Sequence, residues 1–185
     1  MLKHFLAGTI AALAFVAVTS SATDAAPAAP AVPDELSQYD FFVGTWHCTG
    51  TAFASPMMAE HATTATVHVD KAVGGRWIHA NYDENKTPAN PKPYHAGLFW
   101  GYDSGKKTFV QGCVDSMGGY CSSTSAGWKG DTFVFEGTSR GFGDESGARD
   151  TFAKKGPDGL THTGEMQGPD KKWVKTDEEA CHRHK

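Results

Sequence analysis

From residue 43 onward the chain is a succession of short runs rich in β-branched and aromatic residues. Apolar and polar positions alternate within them, and no window holds an i, i+3, i+4 apolar repeat. Ten such runs predict ten strands, over 43–53, 62–73, 75–83, 95–102, 107–114, 119–128, 132–138, 148–154, 160–167 and 172–181. Asp34-Glu35-Leu36 predicts at most one helical turn. The separators "VGG" (73–75), "DSGKK" (103–107), "DSMGG" (115–119), "KGD" (129–131), "KGPDG" (155–159) and "GPDK" (168–171) are Gly/Asp/Pro clusters of the kind that close hairpins. Only "DENKTPANPKP" (83–93) and "GFGDESG" (141–147) are longer, which predicts mobile loops at a mouth.

Consecutive hairpins make an antiparallel meander, and closing that meander on itself removes its exposed edges. The prediction is an all-β, up-and-down barrel of about ten strands. A two-sheet sandwich is the alternative, but its Greek-key crossovers need more long connections than the chain has.

The first residues follow a different pattern. Met1-Leu2-Lys3-His4 is basic, Phe5 to Val18 is apolar, and Thr19-Ser20-Ser21-Ala22 is small. That order reads as a secretory signal peptide, 1–22, cut near Ala22 or Ala25; an uncleaved anchor is the alternative, for which the run is short. "APAAPAVP" (26–33) makes 23–37 a disordered leader, so the barrel domain is expected over 38–185. Cleavage removes one lysine and takes the formal charge from −4 to −5, leaving roughly 160 residues in one domain. A mildly acidic chain without a basic stripe excludes nucleic acid as a partner. No second apolar run or basic amphipathic stretch holds the mature chain to a membrane. Nothing in the sequence bears on oligomeric state, and the expected location is periplasmic or secreted.

Export makes the four cysteines a candidate disulfide set. Cys113 and Cys121 are equidistant from Met117, the centre of a turn, so a symmetric hairpin sets them opposite each other. Cys48 and Cys181 lie in the first and last strands, which are neighbours only if the barrel closes. The alternative leaves all four as small buried thiols.

Several segments carry a family resemblance. Gly44-Thr45-Trp46 resembles the G-x-W signature of lipocalins, whose tryptophan plugs one barrel end. "DFFVGTWHCTGTA" (40–52), "GGRWIHANY" (74–82), "GLFWGYD" (97–103), "VDSMGG" (114–119), "ARDTF" (148–152) and "THTGEM" (161–166), in that order, resemble DUF1579, a family of uncharacterised bacterial lipocalin-like proteins. The resemblance spans roughly 38–180. It implies a barrel of about ten strands, related in architecture to nitrobindin and the fatty-acid-binding proteins, and it implies no particular activity. The signal peptide and paired cysteines depart from the commoner pattern. Nitrobindin-type barrels begin G-x-W-x-G-x-G; here Cys48 replaces the middle glycine between Gly44, Trp46 and Gly50, which weakens a haem analogy.

Trp46 is expected as an end-plug beneath a cation such as Arg149 or Arg183. Trp77 and Trp100 are core or ligand-facing aromatics. Polar groups within strands are more informative, because a barrel interior pairs them or opens a cavity to them. His79, Arg149, His162 and Glu165 are the candidates; Arg149 and Asp150 point to opposite faces, as do His162 and Glu165 unless a bulge intervenes. Asp115 reads as an Asx-turn acceptor. "CHRH" (181–184) offers only His182 and His184 to a metal, too few for a closed site. No cofactor is expected, with haem on His79 or His162 as the alternative. "GTSRG" (137–141) matches G-x-S-x-G around Ser139, but no helix follows, so it is no nucleophile elbow.

The expectation is an exported barrel that binds a small, partly apolar molecule in its interior, since ten strands enclose more space than the eight that side chains just fill. An enzyme built on inward His, Asp and Glu groups is one alternative, and a packed structural or interaction module is another.

Overall fold

The computed structural model describes residues 30–55, 58–141 and 144–184. The stretch expected to be a signal peptide and the expected leader up to residue 29 lie outside the described residues.

Asp34–Tyr39 form a short 3-10 helix that straddles the expected boundary between the leader (23–37) and the barrel domain. It is no loose linker: Leu36 and Tyr39 are buried in the barrel end. Eleven strands follow: β1 Gly44–Ala52, β2 His61–Ala72, β3 Trp77–Glu84, β4 His95–Asp103, β5 Thr108–Asp115, β6 Tyr120–Ser125, β7 Trp128–Lys129, β8 Thr132–Gly141, β9 Asp144–Lys154, β10 Gly159–Gln167 and β11 Trp173–Arg183. Successive strands pair antiparallel except β6 and β7, which do not pair with each other; β6 pairs with β8 instead, and β1 pairs with β11. The result is a closed up-and-down barrel of ten strands, with two-residue β7 as an appendage of the ring.

Two sequence expectations are corrected. The predicted strand 119–128 is interrupted at Ala126-Gly127. There the Gln38 side chain enters, its Oε1 accepting from the Trp128 backbone N–H at 3.2 Å, and Gly127 adopts φ +89°. The two pieces still serve one edge of β8: β6 pairs with Glu136–Arg140, and β7 with Thr132–Phe133. The predicted loop 141–147 is mostly ladder, because Thr138↔Gly147, Ser139↔Ser146, Arg140↔Glu145 and Gly141↔Asp144 pair directly. Glycine-rich polar sequence tolerates extended pairing when its partner strand is in register. Ser139 therefore sits mid-strand. The 83–93 loop is tied down, with Asn90 9% exposed and its side chain bonded to Glu84.

Both cysteine pairs are in register and bonded. Cys48–Cys181 joins β1 to β11 (Cα–Cα 4.0 Å), and Cys113–Cys121 joins β5 to β6 (4.9 Å).

The interior is divided lengthwise. At the end where β1 begins, Tyr39, Phe42, Trp46, Trp100, Phe109, Phe133 and Phe135 pack ring against ring and fill the bore. The Trp46 indole N–H donates to the Phe42 carbonyl at 2.7 Å. Arg183, rather than Arg149, lies over its ring at 4.2 Å and donates to the Val43 and Phe41 carbonyls at 2.5 and 2.6 Å. The opposite half of the bore is lined differently.

Candidate functional site

Register places Asp150, His162, Asp177, Glu179, Gln111, Tyr82, Thr63 and Glu84 on the inner face, at the end opposite the Trp46 plug. The chain of reference is simple: Cys48 and Cys181 face inward, so every second residue of β11, Glu179 and Asp177, faces inward too. Glu179 pairs with His162 and Asp177 with Gly164, while Gly164 pairs with Asp150. Three strands thus bring one histidine and three carboxylates together.

His162 is the centre. Its Nε2 lies 3.3 Å from Asp150 Oδ1 and its Nδ1 3.0 Å from Asp177 Oδ2. Carboxylates only accept, so both ring nitrogens donate and the ring is an imidazolium. Burial alone would lower its pKa, but the charges of Asp177 and Asp150 and their hydrogen bonds outweigh that and hold it well above the ordinary histidine value. Asp177 is itself partly desolvated, yet the imidazolium holds its carboxyl below the usual range. Gly164 makes the arrangement possible: a Cβ there would collide with Asp177 Oδ1 and come within 2.8 Å of Thr176 Oγ1.

The network extends in both directions. Asp150 Oδ2 accepts from Gln111 Nε2 at 2.7 Å, and Gln111 Oε1 accepts from the Trp100 indole at 2.9 Å, linking the site to the aromatic plug. Glu179 accepts from Thr63 at 2.9 Å and Tyr82 at 2.7 Å; burial pushes its pKa up, partly offset by those two bonds. At the rim, Glu84 accepts from Asn90 Nδ2 and the Tyr94 backbone N–H, both at 2.8 Å, and contacts His61 Nε2 at 3.0 Å. Asp115 closes its turn by accepting from the Met117 and Gly119 N–H groups, each at 2.8 Å, and takes the Tyr94 hydroxyl at 3.2 Å. Leu98, Ala96, Ala148 and Met166 share the inward face of this half by the same register.

His162, Asp150 and Asp177 point into the bore yet keep solvent contact, with side chains 20%, 28% and 32% exposed, whereas Glu179 and Glu84 are buried. Solvent therefore reaches the bore as far as these three side chains.

The expected site residues divide. Trp46, Trp100 and His162 face inward, the first two within the packed end. Trp77, His79, Arg149 and Glu165 face outward and do not line the bore. Trp77 lies over Gly101, in the space a Cβ would need. His79 stacks on Phe99 with centroids 4.6 Å apart. Arg149 and Glu165 pair with each other at 2.7 Å, Arg149 also covering the Trp173 ring at 4.4 Å. Neither histidine weighed for haem fits it: His79 is outside, and His162 has both nitrogens engaged. Asp177, Glu179, Glu84 and Tyr82 were not singled out from sequence, although the inward parity of Cys181 marks Asp177 and Glu179.

Residues 37–183 match the model of a family described as "Protein of unknown function (DUF1579)". The chain matches no curated protein sequence. Among solved structures it is similar to Rv2717c from M. tuberculosis, with a TM-score of 0.65 and 13% identity over 84% of this chain and 100% of that one. At that identity the likeness is one of fold.

Proposed function

The chain belongs to the DUF1579 family, and from the bore of its barrel we propose that it binds a small, partly apolar molecule carrying a positively charged or donor-rich group. One observation carries this reading: a half-open interior in which Asp150 and Asp177 remain partly solvent-exposed around His162. Their negative charges outnumber the one imidazolium, so the hollow favours a cation or a group rich in N–H and O–H donors. Leu98, Ala148 and Met166 offer apolar wall to the rest of such a ligand.

Binding is favoured over the enzymatic alternative by the state of His162. A ring that already donates from both nitrogens has no lone pair with which to act as a base. The two disulfides support export to an oxidising compartment, periplasmic or extracellular. Native mass spectrometry of protein purified with both disulfides intact tests the reading. Retained small molecules in the wild type, lost in Asp150→Asn/Asp177→Asn with the fold preserved, support it. Equal retention in both proteins, or none in either together with no uptake of alkylamines, refutes it.

A further inference from the structure

We propose that the outer face of the β1–β11 seam binds a divalent transition-metal ion, copper(II) above all, through His47, His182 and His184. The tail "CHRH" supplies two imidazoles on one side of a strand, since residues i and i+2 share a face. Barrel closure supplies the third. His47 of β1 stands directly opposite His182 of β11, and its Nε2 lies 3.0 Å from His184 Nδ1, with the two rings at right angles and their centroids 4.8 Å apart.

Three features prepare the His47–His184 pair, the seat onto which the His182 ring must turn, since among the described residues no third His, Cys, Asp or Glu atom lies within 4.8 Å of both facing nitrogens. The Cys48–Cys181 bond lies one residue along from the His47↔His182 pair, on the inner face, and fixes the register in which the histidines meet. The tail is held as well, because the His184 backbone N–H donates to the Thr45 carbonyl at 2.8 Å. Thirdly, the N···N separation, that of a hydrogen bond, is already close to what two coordinated imidazoles need. Two imidazoles binding one ion at about 2.0–2.1 Å, at right angles, stand about 2.9 Å apart, against about 3.3 Å for a tetrahedral pair. A right angle is the preference of tetragonal copper(II) and nickel(II), and the all-nitrogen donor set disfavours calcium and magnesium.

At present one of the two facing nitrogens donates its hydrogen to the other. Coordination replaces that hydrogen bond: the donating ring shifts its proton to its other nitrogen, both rings stay neutral, and each facing nitrogen gives its lone pair to the ion. His47 Nδ1 then faces the Thr66 hydroxyl, already 3.5 Å away. His68, opposite Thr45 in β2 and 3.1 Å from its hydroxyl, lies one position along and is not part of the set.

The test is titration of the untagged, disulfide-intact protein with copper(II) sulfate, read by isothermal calorimetry and by electron paramagnetic resonance. One ion per chain, nitrogen hyperfine structure from several imidazoles, weaker nickel(II) and no calcium binding are expected. His47→Gln and His182→Gln/His184→Gln should each weaken copper binding at least tenfold while thermal unfolding stays unchanged, and His68→Gln should leave it within about twofold. If His47→Gln binds copper as tightly as wild type, the ion is held by the tail alone and the three-histidine site is refuted. Failure of the interior ligand test leaves this result unaffected, because the two sites lie on opposite faces of the sheet.

Discussion

Cys48 and Cys181 face each other across the first and last strands of the barrel, bonded and in register with Cα atoms 4.0 Å apart. The bond staples together chain segments 133 residues apart and so fastens the closure itself, whereas Cys113–Cys121 spans only 8. In the chain-entropy picture, constraint of the unfolded chain grows with loop length. Cys48→Ala/Cys181→Ala should therefore lose about 4–5 kcal/mol, and Cys113→Ala/Cys121→Ala less than about 3 kcal/mol. Urea denaturation of the two double variants measures the order; a larger loss for the hairpin pair would contradict it.

The closed end rests on one arginine as much as on the tryptophan beneath it. Arg183 covers Trp46 and donates to the Val43 and Phe41 carbonyls, so it fixes the entry of the chain into β1. Trp46→Ala should cost about 3–5 kcal/mol, as large buried aromatics do. Arg183→Lys keeps the charge but loses the planar two-carbonyl fork, and should still destabilise by about 1–3 kcal/mol. Chemical denaturation of Arg183→Lys at wild-type stability would show the fork to be dispensable.

His162 makes stability depend on pH from the alkaline side. Its native pKa lies above the unfolded value of about 6.5, so the imidazolium's contribution is complete below about pH 6.5 and is lost as pH rises through the native value. Unfolding free energy should fall across that window by up to about 1.4 kcal/mol per pH unit, the limit for one proton. His162→Gln should flatten this slope. A wild-type curve already flat on the alkaline side would mean that the two carboxylates do not hold the proton.

Gly164→Ala offers a second route to the same cluster. The added methyl displaces the Asp177 carboxylate without removing any ionisable residue. Overpacking of this kind costs about 1–3 kcal/mol. The variant should also lower the His162 pKa, read by proton NMR of the ring; an unchanged pKa would show that Asp177 is not what holds the imidazolium.

Strands and turns were legible in the sequence because alternation and Gly/Asp/Pro punctuation mark them locally, whatever the barrel contains. The Ala126-Gly127 interruption was not, since its cause is Gln38, ninety positions away. Inward and outward faces were not legible from hydrophobicity either, because this barrel departs from the usual rule on both faces. Trp77 and Phe99 stand outside, at 37% and 41% exposure, while Glu84 and Glu179 turn inward at 4% and 6%. Parity counted from the cysteines resolves the ambiguity: with Cys181 inward, Glu179 and Asp177 must follow. The histidine patch was half legible, its third member being supplied by ring closure.

Trp100 reports directly on the interior, since its indole N–H is joined through Gln111 to Asp150, whereas the Trp128 indole bonds to the Gln38 carbonyl at the closed end. Titration of nitrogen-labelled protein with alkylamines of four to ten carbons, followed through the indole N–H signals, tests binding in the open half most directly. Saturable shifts of Trp100, with Trp128 and the outward Trp77 unmoved, are the predicted result. Unmoved Trp100 across the whole series, or shifts confined to Trp77, would contradict it.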